Sequence, residues 1–76
     1  MSIKNYNRLD TVTCKVLYTN HKGAVLKING MEDDPFVIMH DVDISAGSVV
    51  LGSIAKISPD YRYVKVRLDS VLDYAA

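Results

Sequence analysis

The chain has 76 residues, of which 49% are hydrophobic and 24% are charged, and its formal net charge is zero. This length allows one domain with a small core, and the composition excludes a disordered tail. A neutral chain with a single cysteine also excludes an internal disulfide and a strongly basic nucleic-acid binder, and it favours a reducing compartment.

The first predicted elements are an N-terminal arm and a strand. Residues 1–9 are polar and lack periodicity, so we interpret them as a flexible arm, from which Tyr6 and Leu9 can pack back onto the domain. A strict alternation over residues 10–18 is typical of a half-buried strand. This first predicted strand directs one set of side chains inward: Val12, Cys14, Val16 and Tyr18. The polar residues 19–23 then predict a turn.

The middle of the chain predicts two short strands. Residues 24–28 form the second predicted strand, whose inward side chains are Ala24, Leu26 and Ile28 and whose outward ones are Val25 and Lys27. Asn29-Gly30 favours a hairpin turn, although the connection can extend to Pro35. The apolar residues 36–39 predict a third strand. Residues 42–46 have room for either one helical turn or an extended crossing.

The C-terminal third predicts a hairpin. Residues 49–57 and 62–69 alternate with a period of two on either side of the breaker Ser58-Pro59-Asp60, which predicts the fourth and fifth strands. Gly52 inside the fourth strand indicates a bulge or a sharp bend. Residues 71–76 are interpreted as a tail with a short helical turn that covers a barrel edge.

Five short strands with one internal glycine bend predict an all-β protein over residues 10–70. The favoured architecture is a five-stranded Greek-key barrel like the OB-fold, with room for a short helical turn between the third and fourth strands. An SH3-like barrel is the alternative. We find no repeat, linker or low-complexity segment in the sequence.

Four short segments resemble one known family. Residues 22–28 are similar to its second strand, 36–40 to its third, 47–50 to its Gly-Asp-x-Val segment, and 65–68 to its closing basic-apolar-basic-Leu segment. By these matches residues 10–70 resemble the S-one-type RNA-binding domain. That OB-fold repeat occurs in the large bacterial small-subunit ribosomal protein and in polynucleotide phosphorylase.

The resemblance implies binding of single-stranded RNA through an open groove. The chain departs from the family where Lys22 and Val25 replace its two usual aromatics, and where Ile38 replaces its third-strand histidine. His40 lies two residues on and is expected on the same face, while Asp60 and Lys65 match the charged pair near the last turn only loosely. Loss of stacking predicts weak, largely sequence-tolerant binding of RNA, with single-stranded DNA as a second candidate ligand. The predicted contact residues are Lys15, Lys22, Lys27, Phe36, His40, Tyr63, Lys65 and Arg67.

Other interpretations of the same residues stay open. The basic side chains can simply keep a small barrel soluble. The interval Glu32–Asp43 contains five acidic residues and no Lys or Arg, so it can instead dock a protein partner on a barrel that no longer binds nucleic acid. His40, Asp41 and Asp43 have no recognised metal spacing.

No catalytic motif or phosphate-binding loop is present in the sequence, so we expect neither an enzyme nor a cofactor. Cys14 is expected to be a buried apolar residue. We find no apolar run near the ~18 residues that span a bilayer and no apolar stretch like that of a signal peptide. The sequence therefore predicts a cytoplasmic protein with no membrane association.

Overall fold

The computed structural model describes residues 2–75, which form a closed barrel of five strands. The strands are β1 (Thr11–Asn20), β2 (Gly23–Ile28), β3 (Phe36–His40), β4 (Val49–Ile57) and β5 (Tyr63–Asp73). Their order around the barrel is β1-β2-β3-β5-β4, and β4 pairs back to β1. All neighbouring pairs are antiparallel except β3 and β5, which run parallel. This arrangement confirms the predicted all-β, OB-like barrel.

The barrel interior is filled by alternate side chains of every strand. The inward residues are β-branched or small for the most part, which suits the pleated surface of a narrow barrel. Cys14, Val50, Ile54 and Val64 are fully enclosed, and the rest of the core is nearly so. Because removing one such side chain from water stabilises the fold by roughly 1.5–3 kcal/mol, the alternation read from the sequence specifies which face of each strand turns inward.

Two glycines allow strands to approach closely. A Cβ on Gly52 would meet Val66 Cγ1 and would lie 2.9 Å from the carbonyl oxygen of Arg67, and the β4–β5 register shifts at this position. Leu51 pairs with Ser70 and Gly52 with Leu68, so the unpaired residue at this shift is Asp69 of β5, opposite Gly52, and not Gly52 itself. Gly23 has φ +147°, and a Cβ there would collide with the carbonyl oxygen of Met39 on β3.

The connection between β3 and β4 contains no helical turn, which removes one of the two alternatives that the sequence left open for residues 42–46. Ile44 is only 7% exposed, because it packs with the core residues at one end of the barrel. Gly47 and Ser48 then hydrogen-bond to Val16, through Gly47 N to Val16 O at 2.8 Å and Val16 N to Ser48 O at 2.9 Å. The segment ends in a turn, in which the Ser48 N–H donates to the Ser45 carbonyl at 3.1 Å, so burial of Ile44 and this turn set its irregular path.

The expectation of a helical turn in the C-terminal tail is also wrong, since β5 continues to Asp73. Val71 and Asp73 pair with Val50 and Val49 of β4. The backbone N–H of Ala75 donates to the hydroxyl of the buried Ser48 at 2.9 Å, which ties the chain end to the barrel. The final residue of the predicted tail, Ala76, lies outside the described residues, as does Met1 of the predicted arm.

The N-terminal segment packs onto the barrel and is not a loose arm. A 3-10 turn at Ile3–Asn5 buries Ile3 to 1% exposure, and Tyr6 packs against the core. Leu9 is 66% exposed, so the expectation that its side chain packs back is wrong. Its backbone N–H donates instead to the carbonyl of Ile54 at 2.7 Å, which continues the pairing of this segment with β4.

Candidate nucleic-acid interface

The outer surface of β2, β3 and β5 carries most of the predicted contact residues. Cα pairing places Phe36 beside Tyr63 and Ile38 beside Lys65, while the intervening Val37 and Val64 point into the core. Since paired residues in neighbouring strands project to the same side, Phe36, Tyr63, Ile38 and Lys65 share the outer surface. We call the outer surface of β2, β3 and the first half of β5 the binding face.

A bulge in β1 adds an aromatic side chain to the edge of this face. The β1–β2 register shifts between Val16 and Tyr18, so Val16 pairs with Leu26 and Tyr18 pairs with Val25. Tyr18 is 52% exposed, and the prediction that it faces inward is wrong. The bulge at Leu17 reverses the alternation, because one extra residue shifts every later side chain to the other surface.

A groove of about 290 Å³ crosses the binding face between the end of β1 and β3. Val25 and Ile38 form its apolar floor, Lys22 and His40 lie at one end, and Phe36 lies at the other. We call it the central groove. The groove thus combines an apolar floor with a rim of charged and aromatic side chains.

A second groove continues from the first and shares His40 with it. It has a volume of about 400 Å³ and is lined by His40, Asp41, Lys65 and Arg67 among others. We call it the β5 groove. Lys65 and Arg67 stand two residues apart on the same outer surface of β5, so both cations line this groove together with His40.

The tight turn between β1 and β2 is held by short hydrogen bonds. The Lys22 N–H donates to Asn20 Oδ1 at 2.9 Å, and the Asp41 N–H donates to the Lys22 carbonyl at 3.1 Å. Together with the pairing of Gly23 and His40, these bonds fix Lys22 and His40 next to each other.

The turn between β4 and β5 is held mainly by two side chains. The Ser58 hydroxyl donates to Asp60 Oδ1 at 2.6 Å and accepts from the N–H of Tyr63 at 3.0 Å, and the N–H of Arg62 donates to Asp60 Oδ1 at 3.1 Å. The hydrogen bonds from Ser58 and Arg62 lower the pKa of Asp60, so the turn retains its carboxylate acceptor in mildly acidic solution.

The distribution of charge explains how a neutral chain offers a basic surface. Residues 23–28, 36–40 and 63–68, which build the binding face, include no Asp or Glu. Lys22, Lys27, Lys65 and Arg67 border or occupy the binding face, and the acidic residues lie in loops or beyond Leu68. Charge separation of this kind creates a local positive potential despite the zero sum.

The predicted contact residues do not all meet in one place. Lys22, Phe36 and His40 line the central groove, while Lys65 and Arg67 line the β5 groove. Tyr63 lies beside Phe36. Lys27 and Lys15 pair with each other across β2 and β1, and Lys15 also pairs with Val49 of β4. Lys15 therefore lies on the side of Lys27 that is away from the grooves.

The acidic interval Glu32–Asp43 does not form one surface. The five residues of β3 lie inside it, so its two acidic ends are separated by roughly 16 Å at about 3.3 Å per residue. Asp33 is also occupied, because its Oδ2 accepts from the Ser2 hydroxyl at 2.6 Å and from the Ile3 N–H at 3.0 Å. The two acidic groups of this interval therefore lie at opposite ends of β3.

Cys14 is enclosed in the core, and burial raises its pKa to about 12. Within residues 2–75, no group of three or more His, Cys, Asp or Glu side chains is arranged to hold a metal ion. Over the same residues, no helix is long and apolar enough to cross a membrane.

Comparison with known proteins returned no match. No family model, no curated protein and no solved structure is similar to this chain at a significant level. The site is therefore interpreted from its own geometry.

Proposed function

We propose that this barrel is a binding module for single-stranded nucleic acid, RNA in the first place, and that it performs no catalytic step. The observation that carries the proposal is the binding face itself, where Phe36, Tyr63 and the bulge-exposed Tyr18 lie among basic side chains. The strand segments that build this face, residues 23–28, 36–40 and 63–68, contain no acidic residue. The strand 2–3 surface of OB-like barrels, together with the loops at its ends, is a common site for oligonucleotides.

In this proposal the aromatic side chains contact bases and the basic side chains contact phosphates. Stacking of a base on an aromatic ring contributes roughly 1–3 kcal/mol and tolerates any base. Phe36 is 50% exposed and Tyr18 is 52% exposed, so both rings have free area to offer. Lys22, Lys65 and Arg67 supply positive charge for phosphates. Recognition by ring faces and charge gives weak binding with little sequence preference.

The resemblance to the S-one-type domain supports RNA as the ligand. The fold agrees with this resemblance, since the S-one-type domain is also an OB-like barrel. His40 shares the outer surface with Ile38, as the resemblance implies. Tyr18 offers an aromatic ring across from Val25, one of the two positions where the family's aromatics are missing. The buried, reduced Cys14 agrees with a cytoplasmic location, which is part of the proposal.

Single substitutions of exposed aromatics test the proposal. We expect Phe36→Ala and Tyr18→Ala each to weaken binding of a fluorescein-labelled oligouridine of about eight nucleotides by about tenfold, measured by fluorescence anisotropy at low salt. Tyr74→Ala is the matched control, because Tyr74 is 74% exposed and lies beyond β5, away from both grooves. Amide spectra of all three variants verify that the barrel is intact.

Two outcomes would contradict the proposal. One is the absence of any anisotropy change with wild-type protein up to about 1 mM, which is above the weakest usual dissociation constants for non-specific binding. The other is unchanged affinity in both Phe36→Ala and Tyr18→Ala. Either result would favour a protein-interaction module on the same barrel.

A further inference from the structure

A third groove lies beyond Phe36, at the opposite end of the binding face from His40. Its volume is about 440 Å³, and it is formed by the N-terminal turn, the loop before β3 and the β4–β5 turn. The side chains that matter here are Lys4, Asp34, Phe36, Tyr61 and Arg62. We call it the terminal groove. Phe36 lines both this groove and the central groove, so the two are continuous across one aromatic ring.

Tyr61 is presented to the terminal groove by a strained backbone. Its φ is +60°, a region that bulky residues rarely adopt, and its side chain is 42% exposed. The Tyr61 N–H donates to the Ser58 carbonyl at 3.0 Å, and Asp60 holds the following N–H. Strained conformations of this kind occur preferentially at functional sites. Packing in the core does not offset this strain, since Tyr61 is not among the described residues that form or contact the core.

Lys4 is fixed opposite Tyr61 by contacts far away in sequence. Asp33 accepts hydrogen bonds from Ser2 and Ile3, and Ile3 is buried, so the N-terminal turn is attached to the loop before β3. The Lys4 Nζ atom then lies 5.6 Å from the centroid of the Tyr61 ring. A cation at this distance is attracted to the ring face, so the contact links the N-terminal turn to the β4–β5 turn across the terminal groove.

We propose that the terminal groove is a further nucleobase subsite, which takes one unstacked base between Phe36 and Tyr61 at the end of the bound strand. The inference rests on the proposed function, because the base must arrive as part of a strand on the binding face. Lys4 and Arg62 face the phosphates that flank this base. The groove takes a base and not a phosphate, since the carboxylates of Asp33 and Asp34 also line it.

The same carboxylates give the subsite a preference among bases. An Asp side chain accepts hydrogen bonds from the exocyclic amino group of cytosine, whereas uracil offers a carbonyl at that position. Asp34 is exposed at the groove, and Asp33 already accepts two hydrogen bonds from the N-terminal turn. We therefore assign the preference to Asp34, with cytosine bound more tightly than uracil at this one position.

Oligonucleotide length separates this subsite from the rest of the face. An oligouridine of about four nucleotides fits the central and β5 grooves, and one of about eight also reaches the terminal groove. In Tyr61→Asn we expect affinity for the longer oligonucleotide to fall by about tenfold while affinity for the shorter one is unchanged. Asn tolerates positive φ, so the turn keeps its conformation. Tyr61→Phe keeps an aromatic ring and should bind the longer oligonucleotide with wild-type affinity. Tyr74→Asn is the matched control.

The outcomes distinguish the subsite from the proposed function. If wild-type protein binds neither oligonucleotide, the proposed function fails and the subsite with it. If wild-type protein binds both, and Tyr61→Asn leaves both affinities unchanged or lowers both equally, only the subsite is overturned.

A single cytidine placed at either end of the longer oligouridine tests the base preference. We expect tighter binding with cytidine at one end only, and no such gain in Asp34→Ala. A gain that survives in Asp34→Ala, or no gain at either end, would overturn the assignment to Asp34.

Discussion

The dependence of RNA binding on salt follows from the number of cations on the binding face. Lys22, Lys27, Lys65 and Arg67 border or occupy it. For a single strand, the logarithm of the binding constant falls with the logarithm of salt concentration by about 0.7 for each phosphate neutralised. Four neutralised phosphates give a slope of about −2.8, so binding should weaken about 50-fold between about 50 and 200 mM salt.

Removing one of these cations should change the slope by a defined amount. Lys65→Gln leaves three phosphate contacts, so the slope becomes shallower, about −2.1. The affinity should then fall only about 20-fold over the same salt range. Lys15→Gln is the matched control, because Lys15 lies on β1, outside the strands of the binding face, and pairs with Val49 of β4 on its other side. The assay is anisotropy of a labelled oligouridine at four or more salt concentrations.

The result that would refute this reasoning is a wild-type slope near zero, since contacts between apolar surfaces respond little to ionic strength. A second refuting result is a slope in Lys15→Gln that changes as much as in Lys65→Gln, because it would mean that the ligand lies on the other side of Lys27.

Three further predictions concern the fold. Gly23→Ala should destabilise the barrel by roughly 2–4 kcal/mol in urea unfolding, through collision with β3, whereas Gly30→Ala, at φ +78° in open space, should cost about 1 kcal/mol. Cys14 should react with a thiol reagent far more slowly in the folded protein than when unfolded, because its side chain is fully enclosed and burial raises its pKa. The N-terminal turn should detach from the loop before β3 when acid protonates Asp33. Hydrogen bonds lower the pKa of Asp33 in the folded protein, so its contribution to stability is complete above the ordinary pKa of 3.8 and is lost as the pH falls below that value. A change in the amide chemical shift of Ile3 would report the loss.

The strands and their inward positions could be predicted from the sequence because burial of one face imposes a period of two. The alternation of Val12, Cys14 and Val16 is an example, and all three are buried. Tyr18 breaks the rule only because the chain bulges at Leu17, a position with no Gly or Pro to signal it. Bulges depend on pairing with a second strand, so a single strand's pattern cannot reveal them.

The helical turn expected in residues 71–76, and the one left open as an alternative in residues 42–46, show the same limit. Short segments without periodicity take whatever conformation their neighbours allow, and here the neighbours supply a core contact for Ile44 and a pairing partner for Val71. Local propensity is too small to resist such contacts.

The basic and aromatic residues of the binding face could be proposed from the sequence, but their neighbours could not. Phe36 and Tyr63 are adjacent only because β3 and β5 pair in parallel across a crossover. Lys4 and Tyr61 were not predicted as site residues at all. Their proximity depends on Asp33, which attaches the N-terminal turn across about thirty residues of sequence.

The most direct test of the central claim is a two-dimensional amide NMR titration of the protein with a short single-stranded oligouridine at low salt. The proposed function predicts shifts at Lys22, Phe36, His40, Tyr63 and Lys65, with little change on the β1–β4 side of the barrel at Leu51. Shifts confined to the β1–β4 side, or none at high RNA concentration, would contradict it.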